Sequence, residues 1–193
     1  MKNAKRFISV DMQNDFCSEG GICYRQHDSV KFVTESILPK LFKHGIKISE
    51  IISDYRQPRL LDNYELCIPG TWGYNSIIDK KYIYGTPWVK AHNSPVWVRE
   101  NNSIVQNPWK FNNWLEKQSI NQETSAYIFG ISVDCCILCV AQELCFRGIQ
   151  PYIILEGVDV YSGDSNQKKL FLQTDFWKNW MKIIKWSKVK EVL

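Results

Sequence analysis

The sequence predicts an α/β protein of three layers, α/β/α, in which helices cover both faces of a mostly parallel central sheet. Three observations carry that expectation. Short runs rich in β-branched and aromatic residues alternate with segments whose apolar positions recur every three or four residues, the pattern of successive βα units. Two of the strand-like runs end in a carboxylate, Asp11 and Asp54, at the strand edge where open parallel sheets bind ligands. The chain has 193 residues, 45% of them hydrophobic and 13% aromatic, which suffices for one domain spanning 1–193 with a full core.

The elements follow in order. Arg6 to Met12 is a short apolar run and reads as the first strand, with Asp11 at its C-terminal end; the loop NDFCSEGG follows and offers Phe16 as a wall for any cleft there. From Asp28 to Gly45, residues Val30, Val33, Ile37, Leu38, Leu41 and Phe42 keep helical spacing, capped by Asp28 or Ser29 and stopped by Gly45, while Pro39 inside the pattern should kink or divide the helix. Lys47 to Asp54 is the second strand. Tyr55 to Pro95 is punctuated by Pro58, Pro69, Gly70, Gly73, Gly85 and Pro87 and reads as a long irregular stretch, a kind that usually carries function.

The third strand is expected at Pro95 to Arg99 and a short helix at Pro108 to Gln118. Ser125 to Ile131 is a buried strand in which Gly130 allows a backbone path closed to other residues. After it, Cys136, Ile137, Val140, Ala141, Leu144 and Cys145 form one helical face, with Asp134 as the expected N-cap and Gly148 as the stop. Gln150 to Leu155 is the next strand, Asp164 or Ser165 caps a helix through about Lys182, and Lys182 to Trp186 is a last short strand before a terminal helix in SKVKEVL. No internal repeat and no Gly-rich phosphate loop is present.

Composition narrows the partners. The formal net charge is +4, but the lysines that produce it are dispersed, which fits a solvated face better than a nucleic-acid footprint. The first residues combine basic and acidic groups around a short apolar run, unlike a signal peptide or a membrane span. Seven cysteines are scattered; Cys136 and Cys139 have CxxC spacing but stand alone, without the second pair typical of zinc, so reduced thiols in a cytoplasmic protein are expected.

The third strand would bring Arg99 to the edge that already holds Asp11 and the first helical turn at Cys136. A carboxylate, a cation and a thiol are the groups needed for attack on a carbonyl, and unpaired N–H groups and the helix dipole at Cys136 favour a thiolate. The same three residues also allow a plain ion pair between strand ends beside an inert core cysteine. Lys90, in WVKAHNS, is the alternative cation if the long loop folds inward.

Three blocks, VDMQNDFCSEGG, CIPGTWG and GISVDCC, resemble the isochorismatase-like cysteine hydrolases, a family that includes the nicotinamidases, in order and spacing across most of the chain. The resemblance implies an Asp–Lys–Cys triad that hydrolyses amides through a thioester, with Asp11 and Cys136 at the matching positions and Arg99 where the lysine belongs. It implies a cis peptide between Ile131 and Ser132, with the N–H groups of Ser132 and Cys136 facing an oxyanion, and Phe16, Trp72 and Cys135 as substrate-pocket residues. Metal-binding members carry histidines near the second strand; this chain has Asp54, Tyr55 and Arg56, and Leu66 before Cys67. No metal and no cofactor are therefore expected, and His27, His44 and His92 read as surface or loop residues.

The resulting expectation is a metal-independent hydrolase of a small amide or carbamoyl compound, forming a homo-oligomer as relatives commonly do, with no nucleic-acid or membrane partner. A binding or regulatory protein that lost turnover through Arg99, and a redox protein using the vicinal Cys135 and Cys136, are the rivals.

Overall fold

The computed structural model of the chain describes residues 4–57, 65–191 and 193. Pro58, counted above among the loop punctuation, lies outside them. The first strand, β1 (Ala4–Val10), is followed by a single turn of helix, α1 (Asn14–Cys17). The helical stretch after it is divided as Pro39 requires: α2 (Asp28–Phe32) passes through a π-helical segment, Val33–Ile37, into α3 (Leu38–Lys43). Proline lacks the N–H that would continue the α-helical ladder, and the wider π turn directly before it absorbs the break.

β2 (Ser49–Ser53) is buried along its whole length. The next strand of the sheet is β3 (Trp88–Lys90), inside the stretch read from sequence as irregular, and it pairs in parallel through Ile51↔Trp88 and Ser53↔Lys90. The run expected to be the third strand is β4 (Trp97–Glu100), which leaves the central sheet and forms an antiparallel hairpin with β5 (Ser103–Gln106). Asn101 and Asn102 both have positive φ at its turn, as a two-residue hairpin of this hand demands. Two short apolar runs so near each other compete for one place in the sheet, and the three residues of β3 are too few for periodicity to reveal.

α4 (Pro108–Lys117), β6 (Thr124–Ile131), α5 (Cys136–Phe146) and β7 (Gln150–Asp159) follow. α6 (Ser165–Gln173) ends sooner than its pattern suggests and gives way to a 3₁₀ turn at Phe176–Asn179, before β8 (Lys182–Ile184) and α7 (Trp186–Lys190). Asp164 caps α6 by accepting from the N–H groups of Asn166 and Gln167.

The six-stranded sheet runs β3-β2-β1-β6-β7-β8, and every pairing in it is parallel. Its strands bury both faces. Ile8, Val10, Ala126 and Ile128 face α4 and α5 with Phe111, Leu115, Ile137, Val140 and Leu144. Phe7, Tyr127, Phe129 and Ile131, the alternate positions, face Val33, Ile37, Leu38, Leu41 and Val189 on the other side. Each such fully buried side chain contributes about 1.5–3 kcal/mol. At Gly130, with φ +122°, a Cβ would collide with the backbone of Val10, so the close pass of β6 along β1 needs glycine. Among the described residues, no helix is long and apolar enough to cross a membrane.

Candidate active site

Four neighbouring strands deliver one polar group each to the same edge of the sheet: Lys90 from β3, Ser53 from β2, Asp11 just past β1, and Cys136 at the start of the helix after β6. Asp11 has left-handed backbone, φ 53°, a conformation that aspartate tolerates better than most residues. Its N–H is bonded to the Ile51 carbonyl at 2.9 Å.

Lys90 is wholly buried, and Asp11 is 1% exposed. The Lys90 Nζ lies 2.9 Å from Asp11 Oδ2 and donates to Ser53 Oγ at 2.7 Å, Tyr55 OH at 2.6 Å and Cys136 Sγ at 3.4 Å. Ser53 in turn donates to Asp11 Oδ1 at 2.7 Å. Among the described residues, Asp11 Oδ2 accepts no aligned hydrogen bond beyond its ion pair with Lys90, so a lone pair remains open to a proton.

Arg99 is elsewhere. Because β4 turns out of the sheet, its guanidinium donates to the Arg56 carbonyl at 2.5 Å and sits 3.7 Å from Asp54 Oδ2. The sequence signal for Lys90 was the string WVKAHNS, which offered it as the alternative cation, and the strand that carries it has only three residues. Two further participants, Ser53 and Tyr55, were missed; nothing in their local pattern separates them from ordinary strand-end residues.

Burial works against the Lys90 ammonium, yet Asp11, Cys136 and Tyr55 outweigh it and hold the amine well above its ordinary range. The Cys136 thiol is also held well above the ordinary value, first by its hydrogen bond to Cys135, then by burial and by Asp11, with Lys90 opposing. That bond lowers Cys135, which accepts it. Hydrogen bonding, burial and Asp11 thus oppose the thiolate that the helix terminus favours. Asp134 does not cap the helix. Cys135 occupies the N-cap position without a side-chain cap, and Asp134 Oδ1 accepts instead from the N–H of Tyr161 at 3.0 Å.

A cavity of about 380 Å³ opens on Asp11 and Cys136, with walls that include Phe16, Tyr55, Leu66, Ile131, Cys135 and Tyr161. Ser132 lines it too, after a cis peptide with Ile131. Trp72 does not: it is 52% exposed, and its carbonyl accepts from Asn14 Nδ2, because the glycine-flanked turn that carries it points outward. Of the histidines, His27 is buried rather than superficial, 4.0 Å from Asp159.

The residues around Asp54 do not fit a divalent cation. Arg56 donates to both carboxylate oxygens, at 2.8 and 2.6 Å, with Arg99 beside it. Leu66 supplies no ligand. Among the described residues, no group of three or more His, Cys, Asp or Glu is arranged to hold a metal ion.

No family model matches the sequence, and no curated protein matches it. Solved structures do match in three dimensions. An isochorismatase-like hydrolase from Alkaliphilus metalliredigens aligns with a TM-score of 0.71 at 14% identity, covering 98% of each chain. The pyrazinamidase of Pyrococcus horikoshii, solved in complex with zinc, gives a TM-score of 0.68 at 17% identity over 94% of this chain and 98% of that one. N-carbamoylsarcosine amidase from Thermoplasma acidophilum gives 0.62 at 14% identity over 94% and 96%. By architecture, this chain has the fold of the isochorismatase-like hydrolases.

Proposed function

We propose that the protein is a cysteine-dependent hydrolase of the C–N bond of a small amide or carbamoyl compound, acting through a thioester. The observation that carries this reading is the buried lysine shared by a carboxylate and a thiol, Lys90 between Asp11 and Cys136. Similarity in fold to pyrazinamidase and N-carbamoylsarcosine amidase supports the choice of bond.

The resting site holds an Asp11–Lys90 ion pair and a neutral thiol, so reaction needs a base. Asp11 Oδ2 takes the thiol proton, and Lys90 holds the charge that appears on sulfur. Sγ attacks the carbonyl carbon, and the oxygen becomes an oxyanion facing the N–H groups of Ser132 and Cys136; the latter, at the first helical position, has no intrahelical acceptor. Asp11 returns the proton to the leaving nitrogen, and the amine or ammonia departs. Water, activated by the same carboxylate, then hydrolyses the thioester and restores the thiol. The apolar and aromatic walls suit a compact acyl group. No step is routed through a metal.

The argument for a protein that binds without turnover rested on arginine standing in for lysine; Lys90 beside Asp11 and Cys136 supports turnover instead. Incubation with a panel of small amides and carbamoyl compounds, read by ammonia release and intact mass, tests the proposal. Turnover, or an acyl adduct of Cys136 that is absent in Cys136→Ala, is expected. A broad panel that yields neither would sink it.

A further inference from the structure

We propose that Tyr55 is a further catalytic residue of this site, its hydroxyl donating a hydrogen bond to the Cys136 sulfur as the thiolate forms while accepting one from Lys90. The inference deepens the hydrolase reading and rests on it for the step in which the thiolate acts.

The argument is a count of protons. An ammonium has three, and Lys90 Nζ has four neighbours: Tyr55 OH at 2.6 Å, Ser53 Oγ at 2.7 Å, Asp11 Oδ2 at 2.9 Å and Cys136 Sγ at 3.4 Å. Its aligned bonds go to Tyr55, Ser53 and Cys136, the sulfur holding the longest of them, so a thiolate there keeps the capacity to accept from a second donor. The phenol that accepts from Lys90 still has its own proton, with Asn93 Oδ1 at 3.3 Å and Cys136 Sγ at 3.5 Å in reach.

While Cys136 is a thiol its one proton goes to an acceptor, Cys135 or Asn93 Oδ1 at 3.6 Å. Once its proton passes to Asp11 the sulfur can only accept, and the phenolic O–H, polarised by Lys90 behind it, is aimed to supply the bond. Burial and the neighbouring Cys136 hold the phenol well above its ordinary range, so it stays a donor and does not act as the base. Its position is set by main-chain bonding with Leu66, N–H to carbonyl in both directions at 3.2 and 3.4 Å.

Tyr55→Phe removes the hydroxyl and keeps the ring, with its contacts to Lys90 and to Phe16. The readout is the initial rate of Cys136 alkylation by iodoacetamide against pH, resolved by peptide mass spectrometry. The variant should react about tenfold more slowly at pH 8, the usual loss for one hydrogen bond to a charged group, with its profile displaced to higher pH. For any amide that is turned over, kcat should fall with KM little changed. A variant that melts like the wild type and keeps the wild-type profile overturns the proposal.

Should Tyr55→Phe fold poorly, biosynthetic replacement of the tyrosines by 3-fluorotyrosine, a stronger donor, should accelerate alkylation of Cys136, and a rate that does not rise overturns the proposal equally. The two readings fail separately. A tyrosine-dependent thiol without amide turnover overturns the hydrolase, whereas turnover with a tyrosine-independent thiol overturns the role of Tyr55.

Discussion

The ammonium of Lys90 and the carboxylate of Asp11 face each other at 2.9 Å, shut away from water. An ion pair so placed loses much of its hydration, and its mutual attraction offsets the loss only with further hydrogen bonds. Ser53 supplies one to each partner, and Tyr55 accepts another from the lysine. The same arrangement leaves the charges balanced until a proton moves, which is the condition a thiol nucleophile needs.

Removing one partner should therefore be costly in two ways. Lys90→Met is expected to destabilise the protein by about 3–5 kcal/mol, since it strands a buried carboxylate, and to abolish turnover of any amide the wild type accepts. Arg99→Lys should leave kcat/KM within about twofold, because Arg99 touches Asp54 and the Arg56 carbonyl rather than the reacting groups. Urea denaturation and steady-state kinetics on both variants check this, and a large loss of activity in Arg99→Lys would contradict the assignment of the lysine.

Cys135→Ala should make Cys136 easier to ionise. The hydrogen bond that Cys136 donates to Cys135 is the leading cause of its raised pKa, and a donor tied to an acceptor gives up its proton reluctantly. Without the acceptor, the pH profile of Cys136 alkylation should move to lower pH. An unmoved profile would assign the rise to burial and the Asp11 charge instead.

Glu50 should make stability depend on pH near neutrality. It lies buried on β2, accepts from Ser76 Oγ at 2.5 Å, and burial raises its pKa from 4.5 to about 7. With the folded value above the unfolded one, its favourable contribution is complete below about 4.5 and is lost as pH rises through 7. Glu50→Gln should thus match the wild type near pH 5 and exceed it at pH 8, by at most about 3 kcal/mol. Urea midpoints at the two pH values decide the matter; equal differences at both would contradict it.

Gly130→Ala should be among the most damaging single-methyl changes available. The φ of +122° and the adjacent Val10 backbone leave a Cβ no room, and backbone cannot swing aside as a side chain can. A loss of about 4 kcal/mol or more is expected, measured as the shift in urea midpoint, with Gly45→Ala for comparison because open space surrounds that position.

The sequence by itself determined the layered α/β architecture, because strand and helix periods are local properties written every few residues. It likewise marked Asp11 at a strand end and Cys136 at a helix start, since each is tied to a long, well-patterned element. Which cation joins them was decided only by tertiary structure. β3 is three residues long, too short to show a period, and its place beside β2 is set by what Trp88 and Lys90 bury there rather than by anything in WVK alone. The longer and clearer run at 97–100 was free to leave the sheet because it could pair with 103–106.

The raised pKa of Cys136 was hidden for the same kind of reason. A helix terminus near a thiol is visible in sequence, but the buried Cys135 hydrogen bond and the Asp11 charge that oppose it act across space. Tyr55, distant in sequence from Lys90 and Cys136, reaches both only because adjacent parallel strands end at one edge, where residues far apart along the chain become each other's solvent.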